Sequence, residues 1–357
     1  MALIRRASLQ GTVRRMLERY RSSQQRRTMS LVVRELETRL GRPCPRSQRI
    51  AAREYAIEVL GDERHTEGLL VYSVIAGEFR EGWIPWDYFA KVVAPSVNGR
   101  MRYAAKIKTL SRRLFRSNAF PDVAYVINGA YYDIDWNRLS HAELRQRIVS
   151  EDGSDVLVCK PDVSYAGRGV HEVVATTVDL EALAQALGNG VLQRRIVQHA
   201  FFDEFVPGGT VTLRIITASD PNRAVAARAA HVKFHRTTER VVGAATSVRC
   251  AVDPSSGIMS DVGFMKDWTS HDRHPDSGAR FVTTAVPGFD SAVQLCADLH
   301  RGVPHVGVVG WDVMIDADLT PHVLEWNGYS PVISNVEPVS GPCFVGLGWE
   351  SLWRGVG

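Results

Sequence analysis

The stretch Gly307-Val308-Val309-Gly310-Trp311-Asp312-Val313-Met314-Ile315 runs through Asp316-Ala317-Asp318-Leu319-Thr320-Pro321 into His322-Val323-Leu324-Glu325-Trp326-Asn327. Two apolar, β-branched runs around a polar, Pro-ended turn describe a β-hairpin. Side chains alternate faces along a strand, so Glu325 and Asn327 share one face while Leu324 and Trp326 take the other. Pairing the strands sets Asp312 beside Glu325 and gathers two carboxylates and an amide on one side. Such a group repels itself unless a hard cation lies between its oxygens. Mg²⁺ takes oxygen ligands and keeps waters and phosphate oxygens in its shell, so the pattern suits a magnesium–nucleotide site. Mn²⁺ accepts the same donors. A solvated polar face is the competing reading, and the apolar neighbours argue against it.

Upstream, Val156-Leu157-Val158-Cys159-Lys160-Pro161 reads as a buried strand ending in a lysine, followed by Asp162-Val163-Ser164-Tyr165-Ala166-Gly167-Arg168-Gly169. Glycines allow backbone N–H groups to approach phosphate oxygens, and a lysine supplies compensating charge. The lysine precedes the glycines, so this is not a Walker A loop. Between loop and hairpin lies Thr210-Val211-Thr212-Leu213-Arg214-Ile215-Ile216-Thr217. A lone Arg214 among apolar and β-branched residues is costly unless it is paired. Either that strand face is exposed, or Arg214 meets a buried anion such as a phosphate.

The remaining pattern is α+β and antiparallel in its second half. Helices are expected over Ser30 to Leu40, Ser47 to Leu60, Arg100 to Arg116, Ser140 to Ser150, Leu180 to Leu187 and Ser291 to His300. Gly68 to Gly77 is a core strand or helix, too short to span a membrane. Asn128-Gly129 marks a hairpin between Val123 to Ile127 and Ala130 to Ile134. Strands are expected over Asp155 to Lys160, Arg195 to His199, Thr210 to Ala218 and Arg223 to Phe234. The chain divides into a basic helical extension (1–50), an N-terminal region (51–150), a small subdomain (151–200) and a C-terminal core carrying the oxygen donors (201–357).

The 357 residues are 45% hydrophobic, as in an ordinary globular chain. Five scattered cysteines without a CxxC pair argue against a disulfide framework or a structural zinc site and suit a reducing cytoplasm. His231 and His235 lie on one strand without a third ligand and read as structural. Charge is uneven: Met1 to Arg49 carries thirteen arginines and three glutamates, whereas the whole chain is at +4. Leu3, Ile4, Val13, Met16, Leu17 and Tyr20 fall on one helical face. That face suits packing on the body, contact with an anionic membrane surface or protein partner, or a transit peptide. No nucleic-acid-binding motif accompanies the arginines, and nothing sets the oligomeric state.

Lys160-Pro with its glycine loop, Val-Thr-Leu-Arg214-Ile-Ile-Thr, and Gly-Trp-Asp312 followed by Leu-Glu325-Trp-Asn327 resemble, in that order, the pattern of ATP-grasp enzymes. The likeness covers roughly Trp83 to Asn327. It extends to the sugar-transfer-associated branch through Ile84-Pro85-Trp86-Asp87-Tyr88, His274-Pro275-Asp276-Ser277-Gly278 and Val286-Pro287. The resemblance implies two α+β lobes clamping ATP, with Asp312, Glu325 and Asn327 as metal ligands. Lys160 then touches the α-phosphate and adenine, and Lys106, or Lys108 beside it, another phosphate. Ser164, Gly167 and Gly169 close over the β- and γ-phosphates, and Gln198 to Asp203 form the adenine and ribose hinge. The usual carboxylate-rich hinge is here Val197-Gln198-His199-Ala200.

The resemblance also implies an ADP-forming carboxylate–amine (or carboxylate–thiol) ligase working through an acyl phosphate, in glycan or secondary-metabolite assembly. Lys160 and Arg214 are then its catalytic residues, and small-molecule carboxylates and amines its substrates. Two alternatives stand beside it: an ATP-grasp kinase that phosphorylates a hydroxyl, and a non-catalytic nucleotide-binding partner of a glycan-assembly system.

Overall fold

The structure, a computed structural model, describes residues 28–149, 155–164, 167–236, 246–329, 331–333 and 336–355. The expected basic face of Leu3 to Tyr20 lies outside the described residues. Two compact units divide the chain: Met1–Val92 with Glu337–Gly357, and Val93–Val336.

The first unit is helical. It holds α1 (28–40), α2 (Arg46–Glu58), α3 (Thr66–Ala76) and α4 (Trp86–Tyr88), with a C-terminal helical turn, Glu337–Ser340. Gly68 to Gly77, open between strand and helix in the sequence, is the helix α3, stopped where Gly77 turns left-handed at φ 84°. The Ile84-Pro85-Trp86-Asp87-Tyr88 motif works within this unit. Asp87 Oδ2 lies 2.6 Å from the buried His65 Nδ1, and the Tyr88 hydroxyl donates to the Trp349 carbonyl at 2.9 Å. The fully buried Glu337 carboxylate accepts the Ile84 N–H at 2.7 Å and the Cys343 N–H at 2.6 Å.

The second unit holds two antiparallel sheets. The smaller runs β3-β2-β1-β6-β4-β5, built from β1 (Asp122–Ile127), β2 (Ala130–Tyr132), β3 (Arg138–Leu139), β4 (Val156–Pro161), β5 (His171–Val174) and β6 (Gly190–Arg194). Asn128 and Gly129 take the positive φ values, 51° and 77°, that this two-residue turn demands. The larger runs β11-β10-β9-β8-β7-β13-β14, with β12 paired to β10. Its strands are β7 (Val211–Ser219), β8 (Val225–Phe234), β9 (Val248–Val252), β10 (Ile258–Phe264), β11 (Ser270–His271), β12 (Thr284–Ala285), β13 (Val308–Ile315) and β14 (Pro321–Asn327). In this unit the helices are α5 (Ala94–Asn98), α6 (Lys108–Phe115), α7 (His141–Ile148), α8 (Leu180–Leu187), α9 (Ala200–Asp203) and α10 (Phe289–Arg301). This is the α+β arrangement expected.

The larger sheet has one apolar and one polar face. On the apolar face Trp311, Trp326, Ile215 and Val232 join Phe289, Ala292 and Cys296 of α10 in one core. A buried chain of hydrogen bonds fixes register there. The Trp311 indole donates to Thr217 Oγ1 (2.8 Å), which meets His300 Nδ1 (2.8 Å), and His300 Nε2 reaches the Val306 carbonyl (2.8 Å). Burial holds the His300 imidazole neutral, which lets the Thr217 hydroxyl donate to Nδ1.

Two expectations change. Arg195 to His199 is not a strand; the preceding Gly190–Arg194 is. Val191 and Leu192 are fully buried between neighbours, whereas Val197 is 77% exposed and has no apolar face to cover. Arg100 to Arg116 is not one helix. Gly99–Lys106 is a 3-10 helix, Ile107 breaks the run at φ −108° and ψ 89°, and α6 begins afresh. The cause is tertiary: Asp162 accepts both the Thr109 N–H (2.9 Å) and the Thr109 hydroxyl (3.0 Å), which sets where α6 starts. All five cysteines are free thiols. Among the described residues no helix is long and apolar enough to cross a membrane.

Burial raises the Glu337 carboxyl to about 8, against the pull of its two backbone donors. The folded chain therefore keeps a proton there that the unfolded chain releases near its ordinary value, so stability falls as pH rises toward about 8. Thermal unfolding between pH 5 and 9, with the histidine contributions common to both chains cancelling in the comparison, should show this fall in the native chain relative to Glu337→Gln. Glu337→Gln should flatten it. An unchanged slope in the variant contradicts the assignment.

Candidate nucleotide and metal site

The polar face of the larger sheet carries the site. Ladder register places Glu325 opposite Asp312, Asp312 opposite Arg214, and Arg214 opposite His231, in one row across four strands. A bulge follows Asp312, where Val313 pairs with Val323 and the ladder skips Leu324. Asn327 stays on the Glu325 face, opposite Gly310.

Asp312 is the hub. Arg214 grips it with two parallel bonds, Nε to Oδ1 and Nη2 to Oδ2, each 2.9 Å. Lys233 donates to Oδ1 at 2.8 Å, and the Asn327 amide lies 3.4 Å from Oδ2 and 3.3 Å from Glu325 Oε1. Burial alone raises the Asp312 carboxyl, but Arg214 and Lys233 together overcome it and hold the group well below the usual carboxylate range. Gly310 makes this packing possible: a Cβ there would meet Arg214 Nη1 at 3.0 Å and Pro331 Cβ at 3.3 Å.

Several expected phosphate ligands converge on the same row. Lys108 Nζ donates to the Asp162 carbonyl (3.1 Å) and Ser164 Oγ (3.0 Å), and stands 4.0 Å from Glu325 Oε2. Lys160, on β4, is 9% exposed, and its ammonium makes no hydrogen bond among the described residues. Burial lowers its pKa, opposed first by Glu325 and then by Asp122. Gly167 and Gly169 take φ values of 79° and 75° in the loop after Ser164, with Tyr165 and Ala166 outside the described residues.

Other expected residues lie differently. Lys106 Nζ sits 3.7 Å from the Tyr329 ring centroid and 5.3 Å from that of Tyr103, a cation–π arrangement. Gln198 spends both ends of its amide inside the protein, accepting the Val211 N–H at 3.0 Å and donating to Asp203 Oδ1 at 3.2 Å. His274-Pro275-Asp276-Ser277-Gly278 buttresses the end of β8. His274 Nε2 donates to the His235 carbonyl at 2.9 Å, and Asp276 pairs with Arg236.

Sequence reasoning missed Lys233, Asp162 and Arg249, which lies across from Lys233. The signal for Lys233 was present: His231-Val232-Lys233-Phe234-His235 alternates polar and apolar residues beside Arg214. Asp162 carries no comparable signal, because its partner Thr109 is remote in sequence.

The donor set fits magnesium. The Glu325 side chain is a third exposed, and the Asn327 amide adjoins both carboxylates. Two carboxylates plus phosphate oxygens are a usual Mg²⁺ environment. Asp312 contributes least, since Arg214 and Lys233 already occupy Oδ1.

Arg214→Leu leaves Asp312 buried with half its partners and should cost about 3–5 kcal/mol of stability. Asp312→Leu alone should cost a similar amount, about 3–5 kcal/mol, by stranding Arg214 and Lys233. Denaturant unfolding of both single variants and the double variant measures the coupling. The double variant should lose much less than the sum of the singles; additive losses contradict a coupled pair.

The family model described as sugar-transfer associated ATP-grasp matches residues 147–342. No curated protein matches the chain. Among solved structures, it is similar to an L-amino acid ligase from Bacillus licheniformis, at 14% identity and a TM-score of 0.33, over 63% of this chain and 40% of that one. It is similar to a biotin carboxylase from Campylobacter jejuni, at 10% identity and a TM-score of 0.41, over 70% and 45%. It is also similar to the ATP-grasp ligase PsnB in complex with a minimal precursor, at 14% identity and a TM-score of 0.39, over 72% and 63%. The chain thus spans less than two thirds of each of these proteins, and likenesses this distant bear on neither activity nor substrate. The family match covers more than half the chain and takes in Lys160, the glycine loop, Arg214, Asp312, Glu325 and Asn327: the chain belongs to the sugar-transfer-associated ATP-grasp family.

Proposed function

We propose that the chain is an ATP-dependent, ADP-forming ligase that activates a carboxylate as an acyl phosphate and passes it to an amine. The observation that carries this reading is the single row Glu325–Asp312–Arg214, with Lys108 and Lys160 beside it. It sets cationic donors and oxygen ligands around one point.

In the first step a substrate carboxylate oxygen attacks the γ-phosphorus, the bond to the β-phosphate oxygen breaks, and ADP leaves. In the second an amine nitrogen attacks the acyl carbon, the C–O bond breaks, and phosphate departs as the nitrogen loses a proton. Positioning and charge stabilisation are the protein's main tasks in phosphoryl transfer. Lys160 and Lys108 hold phosphate oxygens, and Ser164 fixes the Lys108 ammonium toward the loop. Arg214 Nη1, free of any hydrogen bond, is the donor available to the acyl phosphate oxygens. Glu325, Asn327 and the remaining capacity of Asp312 would hold magnesium, which when bound would screen the phosphate charges.

Incubation with Mg-ATP, hydroxylamine and a panel of carboxylic acids tests this reading. ADP release with hydroxamate formation is expected. Lys160→Ala and Glu325→Ala should each lower turnover about a hundredfold or more. Glu325 is the better metal-site variant, because Asp312 also holds the sheet together. A stable phosphorylated alcohol would make the protein a kinase, and nucleotide binding without turnover would make it a binding partner. Full activity in Glu325→Ala would overturn the site.

A further inference from the structure

The polar face of the larger sheet continues past the Asp312 row. Thr212 lies opposite Lys233, and Lys233 opposite Arg249, forming the next row. His235 carries on the alternation of His231 and Lys233 just past β8. Ser247 precedes β9, whose first residue Val248 pairs with Phe234, so Ser247 falls beside His235. Thr212, His231, His235 and Ser247 are 2%, 4%, 1% and 0% exposed. Yet Thr212 Oγ1, His231 Nδ1, both ring nitrogens of His235 and Ser247 Oγ have no hydrogen-bond partner among the described residues, nor has Arg214 Nη1. Other buried side-chain atoms of this sheet also lack a partner among the described residues, namely Trp326 Nε1, Arg228 Nε and His271 Nε2, but they lie on three separate strands, whereas these five atoms belong to four side chains on one face. An unmade buried hydrogen bond carries the full desolvation penalty. Several of them on one face point to a ligand that completes them.

The face has two chemical ends. Toward Asp312 it offers Arg214 Nη1 and the Lys233 ammonium, which has three donor hydrogens and bonds Asp312. Away from Asp312 it offers two hydroxyls and two imidazoles. Burial, then the cations Lys233 and Arg249, lowers both imidazoles, His235 to about 3, so both are uncharged at neutral pH. Hydroxyls and neutral imidazoles both donate and accept, and alcohol groups on a ligand do the same.

We propose that this face is the subsite for the acid to be activated, and that the acid is a polyhydroxylated carboxylate. Its carboxylate lies at Arg214 Nη1 and Lys233, beside the phosphate to be transferred, and its hydroxyls pair with Thr212, His231, His235 and Ser247. The assignment of the carboxylate end rests on the ligase reading. His274, which holds the His235 carbonyl, is a positioning residue for this subsite.

Calorimetric titration of the full chain, with and without Mg-ADP, tests the proposal with four probes: D-gluconate, D-glucuronate, hexanoate and D-glucitol. One or both hydroxy acids should bind at least about tenfold more tightly than hexanoate, which lacks the hydroxyls, and than glucitol, which lacks the charge. Ser247→Ala and Thr212→Val should each weaken that binding about tenfold. Thermal unfolding midpoints near that of the native chain report that the variants fold. Hexanoate binding as tightly as gluconate, unchanged affinity in both variants, or no binding by either hydroxy acid overturns the proposal. Absence of Mg-ADP binding counts against the ligase reading alone, because gluconate titrated into the nucleotide-free chain still decides the subsite.

Discussion

A buried carboxylate at the middle of a sheet has to be neutralised where it stands, and the arrangement around Asp312 follows from that constraint. Arg214 on the adjacent strand takes both oxygens, and Lys233 on the strand beyond reaches over to one of them. Those three bonds tie β7, β8 and β13 on the polar face as Trp311, Thr217 and His300 tie the apolar face. Glycine at position 310 lets the guanidinium lie close against β13, where a Cβ would stand 3.0 Å from Nη1. One carboxylate thus serves register and charge balance together, beside the candidate metal ligands Glu325 and Asn327.

This division of labour separates two roles that looked equal in the sequence. Asp312 takes three bonds from Arg214 and Lys233, whereas Glu325 keeps partial exposure, 3.3 Å from the Asn327 amide and 4.0 Å from Lys108. Glu325 is therefore the carboxylate better able to meet a cation brought with phosphate, and Asp312 the one whose loss unsettles the strands. Arg214 is divided in the same way, with Nε and Nη2 committed to Asp312 and Nη1 left over.

Much of this was legible in the sequence because strand alternation is strictly local. The face shared by Glu325 and Asn327, the pairing with Asp312 and the hairpin at Asn128-Gly129 all follow from period and turn chemistry. The same rule applied to β8 would have placed Lys233 beside Arg214. Long-range effects were not legible. Asp162 resets the start of α6 from more than fifty residues away and carries Lys108 rather than Lys106 to the Glu325 side. The strand Gly190–Arg194 was hidden between Gly188 and the charged run that follows it. The His-Pro-x-x-Gly motif could be recognised in the sequence, but its work, holding the end of β8, appears only in the folded chain.

The central claim is that the Asp312–Glu325–Asn327 face holds the metal of a bound nucleotide. The most direct measurement is calorimetric titration of ADP into the native chain and into Glu325→Gln, each with magnesium and with a chelator. Magnesium should tighten ADP binding to the native chain, and that gain should vanish in the variant while magnesium-free binding persists. An equal gain from magnesium in both proteins would place the metal elsewhere and contradict the account.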